Sequence, residues 1–178
     1  MSAVRVVAVA SIAALFATAC APEPSEVATR NGLIAQRLLD AQQNADTLAL
    51  LELFWPDAVY DDFANQLQYR GVTEIVGYVT SVHAWADDVY LNAGGVHASE
   101  SGAAVEWLFA GVQARPMGDF APVVTGREVV LNGVTILEID GGRIRRAADY
   151  TDTTPLALQL GGRLELPGGR VVEWEGTP

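Results

Sequence analysis

The hydrophobic positions of this chain change period partway along it. Over residues 26–43, Val27, Leu33, Ile34, Leu38 and Ala41 recur three and four apart, which predicts an amphipathic helix. Asn44-Ala45-Asp46 breaks it, and Asp46 can cap a second helix carrying Leu48, Leu50, Leu51, Leu53 and Phe54. Trp55-Pro56-Asp57 ends that helix. Residues 58–62 read as a short strand and 63–70 as a loop. Gly71-Val72-Thr73-Glu74 opens a third helix reaching about Trp85, with Ile75, Tyr78, Val79 and Val82 inward. From there the period drops towards two, and residues 89–99, 103–113, 127–139 and 143–151 read as strands. Asp140-Gly141-Gly142 is a hairpin turn, Ser99-Glu100-Ser101-Gly102 another, and 115–125 a loop. A short helix over 155–160 and a small hairpin over 163–174 complete the chain.

Helices first and strands afterwards predict an α+β fold, with the helices on one face of a mostly antiparallel sheet. Gly111 and Gly133 inside long strands predict a strongly bent sheet. Closed by the three N-terminal helices, such a sheet makes a cone around an apolar pocket.

The N-terminus stands apart. Arg5 precedes an apolar run of small residues, and Leu15-Phe16-Ala17-Thr18-Ala19 leads into Cys20, the single cysteine of the chain. The run is too short to span a bilayer and reads as a secretory signal. Its end resembles the lipobox of bacterial lipoproteins. That resemblance implies cleavage before Cys20, a diacylglycerol on its sulfur, and an exported, membrane-anchored protein. Ala21 in place of a retention Asp implies the outer membrane in a Gram-negative cell. Ala21-Pro22-Glu23-Pro24-Ser25 is a Pro-rich tether. The expected organisation is a signal peptide over 1–19, lipidated cysteine and tether over 20–25, an α+β domain over 26–161, and a hairpin or tail over 162–178.

Half of the 178 residues are hydrophobic, enough for one domain with a real core. The net charge is −11 at pH 7, and losing Arg5 with the leader makes it more negative still. Such a surface argues against nucleic acid and against electrostatic docking on anionic lipid; an acyl chain would hold the protein at the membrane instead. The two histidines, His83 and His97, are far apart and form no cluster with cysteine, which argues against zinc.

Several segments carry a resemblance. Leu50-Leu51-Glu52-Leu53-Phe54-Trp55-Pro56-Asp57-Ala58-Val59-Tyr60 reads as a helix-to-strand junction, and Arg70-Gly71 opens the third helix. Gly126-Arg127-Glu128-Val129 is followed by Asn132-Gly133-Val134, and Ile139-Asp140-Gly141-Gly142-Arg143-Ile144 by Asp149-Tyr150-Thr151-Asp152. Together these resemble SnoaL-like proteins of the nuclear-transport-factor-2-like superfamily. The resemblance implies the same α+β cone and no cofactor. It does not select a reaction, because the superfamily holds polyketide cyclases, ketosteroid isomerases, limonene epoxide hydrolases, dehydratases and binding modules.

The resemblance points to two carboxylates. Asp62 matches the general-base aspartate of the isomerases, and Tyr60, two residues earlier, shares its strand face. Asp149 matches the acid/base aspartate of the hydrolases and cyclases, and Ala147 leaves room beside it. A carboxylate in an apolar pocket has its pKa raised and can shuttle a proton. The bland readings are a loop-capping Asp62 and an Asp149 paired with Arg145 or Arg146. Tyr60, Tyr78, His83, Leu108 and Thr135 are the candidate substrate contacts, and Asp152 reads as a turn residue. Trp85, Trp107 and Phe109 read as core or dimer face, with ligand stacking as a secondary role. The matching positions of the epoxide hydrolase Arg and Asp are read as Leu108 and Ala110. Those of the isomerase oxyanion donors are about Leu38 and Thr135, so both activities lack strong groups. The expected function is an acid/base isomerase, cyclase or hydratase on a small hydrophobic or polycyclic molecule. A non-catalytic binding or interaction module, homodimeric by family habit, is the alternative.

Overall fold

In the computed structural model, residues 24–174 and Gly176 are described. The expected leader, Cys20 and the start of the tether lie outside these residues. Helix α1 spans Glu26–Gln43 as its period predicts; Ser25 caps it by accepting from the Ala28 amide. Its buried stripe is Ala28, Asn31, Ile34, Ala35, Leu38, Leu39 and Ala41. Val27 and Leu33, expected inward, are exposed, because the stripe runs through Ala35 and Leu39 instead. Asp46 caps α2 (Thr47–Leu53) through the Ala49 amide, as its position predicts.

Strand β1 (Phe54–Asp62) starts earlier than expected, and β2 (Leu67–Arg70) occupies part of the expected loop by pairing antiparallel with β1. Helix α3 (Val72–Val79) is shorter than expected. The Thr80 hydroxyl donates to the Val76 carbonyl at its end, and a 3₁₀ turn, Ser81–Ala84, follows. Strands β3 (Ala86–Ser99), β4 (Gly102–Gln113), β5 (Glu128–Asp140) and β6 (Arg143–Thr151) form a meander. Helix α4 (Thr154–Gln159) and a separate hairpin, β7 (Leu164–Leu166) and β8 (Arg170–Val172), follow.

The main sheet has the order β2-β1-β6-β5-β4-β3. Only the β1–β6 pair is parallel, so the sheet is mixed, curved and open at both edges rather than closed into a barrel. Breaks in register within β1, β3 and β6 help it curl. The curl wraps the concave face around α1, α2 and α3. There Phe54, Tyr60, Leu38, Leu39, Leu50, Ile75, Val105 and Ile144 are fully buried. Each such side chain contributes roughly 1.5–3 kcal/mol on burial. A second cluster of Ala86, Phe109, Val129 and Leu156 forms where α4 covers the far end of the concave face.

Side chains alternate along each strand. On β4 and β5 the odd-numbered residues face inward, and on β1 the even-numbered ones. That parity decides which candidates reach the interior.

Candidate active site

Three strands place one row of polar side chains across the concave face. Asp149 on β6 stands opposite Asp62 on β1 and opposite Thr135 on β5. Thr135 donates its hydroxyl proton to Asp149 Oδ1 at 2.5 Å, and the Trp107 indole N–H on β4 donates to Thr135 Oγ1 at 2.9 Å. Asp149, Thr135 and Trp107 line a cavity of about 260 Å³. Trp85, Trp107, Phe109, Leu91, Leu131 and Val82 form most of its apolar wall, and Gln42 and Gln43 enter from the C-terminal end of α1. Met117 from the β4–β5 loop and Leu156 from α4 add to the lining. Asp149 is the single charged residue among those that line it.

Burial pushes the Asp149 carboxyl up to about 6, against the usual 3.8. The Thr135 hydrogen bond and the Tyr60 phenol pull it back, the Asp62 charge pushes it up again, and the Tyr78 phenol pulls it down. The surface Asp149 retains opens onto the cavity. Arg145 pairs with Asp57 and Asp140, and Arg146 with Asp61 and Glu138, so neither neutralises it. Near pH 7 the carboxylate is mostly ionised in an apolar setting, yet close enough to its midpoint to exchange a proton.

Two phenols flank the carboxylate. Tyr60 is fully buried, and its hydroxyl finds no partner at hydrogen-bonding geometry although Asp149 lies near it. Burial first, and the Asp149 charge next, raise its pKa well above the ordinary phenol value. Tyr78 on α3 lines the cavity, and its pKa is raised by burial and then by the charges of Asp149 and Asp62. Both phenols therefore keep their protons at neutral pH and are available as donors. The Tyr60 and Tyr78 rings meet edge to face at 5.1 Å, and Tyr69 stacks on Tyr78 at 4.2 Å.

Asp62 is placed differently. It is buried on the same face as Tyr60, but its two oxygens accept from the Asn65 backbone N–H at 3.1 Å and side-chain amide at 2.7 Å. It ties down the β1–β2 turn and does not line the cavity, whereas Asn65 does. His83 does not line it either; its Nε2 sits 2.9 Å from the Gln42 carbonyl oxygen. Leu108 is corrected outright. It has even parity on β4 and lies on the convex face, 37% exposed. The β4 positions that face the cavity are Trp107 and Phe109, which also pack with the buried clusters, as their reading as core expects. Asp152 caps the start of α4 through the Thr154 amide, as a turn residue does.

Sequence reasoning gave Trp107 only a secondary ligand-stacking role and passed over Asn65, Gln42, Met117 and Leu156. The signal for Trp107 was present in its two-residue spacing from Val105 and Phe109. Gly133 explains how the indole reaches Thr135. It lies opposite Trp107 in the β4–β5 register, and a Cβ there would stand 2.2 Å from Trp107 Cζ2. The bare backbone lets the ring lie across β5.

Larger depressions occur on the surface, including one of about 1150 Å³ beside Val130 and Trp174. They lack a buried titratable group, which makes the small cavity the candidate site. Among the described residues no cluster of three or more His, Cys, Asp or Glu is placed to hold a metal ion. Among the same residues, no helix is long and apolar enough to cross a membrane.

Comparison with known proteins agrees with the fold. A protein described as a SnoaL-like polyketide cyclase from Jannaschia sp. CCS1 superimposes with a TM-score of 0.71 at 17% identity, over 79% of this chain and 97% of that one. An LEH-like epoxide hydrolase of M. tuberculosis gives 0.60 at 18%, over 75% and 90%. A protein of ketosteroid isomerase-like fold from Catenulispora acidiphila DSM 44928, in complex with trimethylamine, gives 0.61 at 19%, over 72% and 92%. At these identities the likeness is one of fold. No curated protein matches the chain. Residues 35–147, more than half of the chain, match the SnoaL-like domain, and the chain belongs to that family.

Proposed function

We propose that the cavity is a cofactor-independent acid/base site in which Asp149 moves a proton on a small hydrophobic carbonyl compound. The observation that carries this reading is one carboxylate, free of any cation, lining an apolar cavity with its pKa lifted to about 6. The ionised carboxylate takes a proton from carbon next to a carbonyl, and the C–H electron pair moves into the enolate. The Tyr78 phenol lines the same cavity and donates to the enolate oxygen. Return of the proton to a second carbon gives isomerisation; attack by the enolate carbon on a second carbonyl carbon of the same molecule closes a ring, with the C=O π pair passing to that oxygen, which takes the proton back from Asp149. A cavity of about 260 Å³ is at the small end for ligand sites, which favours a mono- or bicyclic molecule over a large polycycle.

The test is hydrogen exchange. The full chain is incubated in D2O with a set of mono- and bicyclic enones, and loss of the α-proton signals is followed by NMR. Catalysed exchange that Asp149→Asn abolishes supports the reading. Exchange equal in both proteins, or absent from both, overturns it. A binding module is the second reading. Thr135 is already engaged by Asp149, and no cation lines the cavity, so Tyr78 carries an oxyanion almost alone. Indole shifts on adding the enones, without exchange, would favour that alternative.

The N-terminal segment belongs to the same proposal. Cys20 as a lipidated residue would make this an exported, membrane-anchored protein. Helix α1 is 18 residues long, about 27 Å, and Gln42 and Gln43 at its far end line the cavity. An anchor before Ser25 would hold the domain by the end remote from the cavity. Growth in labelled palmitate, followed by isolation of the chain with and without Cys20→Ala, tests this; label unaffected by the substitution rules it out.

A further inference from the structure

The hydrogen bonds at Asp149 have a direction. An indole nitrogen can only donate. Trp107 therefore commits the Thr135 oxygen as its acceptor, and the single Thr135 proton goes to Asp149 Oδ1. This arrangement favours the carboxylate, which accepts. With one Thr135 lone pair already taken by the indole, the carboxylic acid could donate only to the other, and the Thr135 proton would have to turn away from Asp149. We infer that Trp107 is a positioning residue that acts through Thr135 to hold Asp149 in its ionised, proton-accepting form.

The backbone is arranged for that contact. Val105, not Trp107, lies opposite Thr135 on β4, so the indole must cross diagonally to reach it. It does so over Gly133, where any side chain would collide with the ring. The other titratable groups near Asp149 are Asp62 and Tyr60 from β1 and Tyr78 from α3. None of them is a cation, so the favour shown to the ionised form comes from neutral donors. The consequence for chemistry rests on the acid/base reading: the first step is removal of a proton from the substrate, not donation to it. The bond direction stands without that reading.

The test uses carboxyl and indole NMR on the full chain. In the unaltered protein, the Trp107 indole N–H resonance should move with the midpoint of the Asp149 carboxyl titration. Trp107→Phe should raise that midpoint by about 0.5–1 unit, because Thr135 is then free to turn and accept from the acid. Thr135→Val should raise it at least as far, and Thr135→Ser should leave it near the original value. An indole resonance indifferent to the titration overturns the inference without any variant having to fold. So does a midpoint unchanged by Trp107→Phe. If the shifts appear but the enone exchange does not, the relay stands and the catalytic reading falls.

Discussion

Asp62 and Asp149 stand opposite each other across the parallel β1–β6 pair, yet only Asp149 opens onto the cavity. The Asp62 oxygens are held by Asn65, which makes its carboxylate a structural cap and a nearby negative charge. Because that charge is one of the influences raising the Asp149 pKa, Asp62→Asn should lower the Asp149 midpoint, measured by NMR titration. Asp62→Ala should in addition cost about 1–3 kcal/mol of stability in urea unfolding, since it removes the acceptor for two Asn65 donors.

The raised Asp149 pKa makes stability depend on pH in a defined sense. Its folded value, about 6, lies above the unfolded value near 3.8, so the folded state binds more protons between them. Stability from this group is greatest below pH 4 and falls as pH rises through 6. Asp149→Asn should thus be more stable than the parent at pH 7–8, by on the order of 3 kcal/mol, and equal to it near pH 3.5. Denaturant melts at both values check this, and an advantage at pH 3.5 as large as at pH 8 would contradict it.

If Asp149 is the base, kcat/KM for enone exchange rises with pH and levels off above about 6, as protonation of the carboxylate is relieved. A rate profile flat from pH 5 to 8 would detach turnover from this group.

Gly133→Ala should strike the Trp107 ring, since the new Cβ would fall 2.2 Å from its Cζ2. An expected loss of about 1–3 kcal/mol follows from overpacking. Unlike an ordinary core lesion, it should also shift the Trp107 indole N–H resonance.

Gln113 is fully buried at the end of β4, and its amide holds the β4–β5 loop. Its oxygen accepts from the Thr125 amide and hydroxyl, and its nitrogen donates to the Arg115 and Val123 carbonyls. That loop brings Met117 to the cavity. Gln113→Leu should cost about 2–4 kcal/mol and expose the loop to limited proteolysis. Cutting confined to other sites would separate this anchor from loop order.

Local features were legible in the sequence because local interactions fix them. Helix α1, the Asp46 cap, the Asp140-Gly141-Gly142 turn and the span of β6 follow from spacing, capping and turn chemistry within a few residues. The α+β class followed from the order of the elements, and the SnoaL-like family from the resemblance carried by segments such as Ile139-Asp140-Gly141-Gly142-Arg143-Ile144. Strand parity and pairing are different, because they are set by which distant segments share a face. Only the tertiary structure turned Leu108 outward and laid the Trp107 indole against Thr135, and it alone gave Asp62 to Asn65. The two aspartates look alike in sequence; burial against α1 and α3 and three neighbouring strands decided which of them meets an apolar cavity. The chemistry of a carboxylate depends on its desolvation and its donors, and both are supplied here by residues far away in the chain.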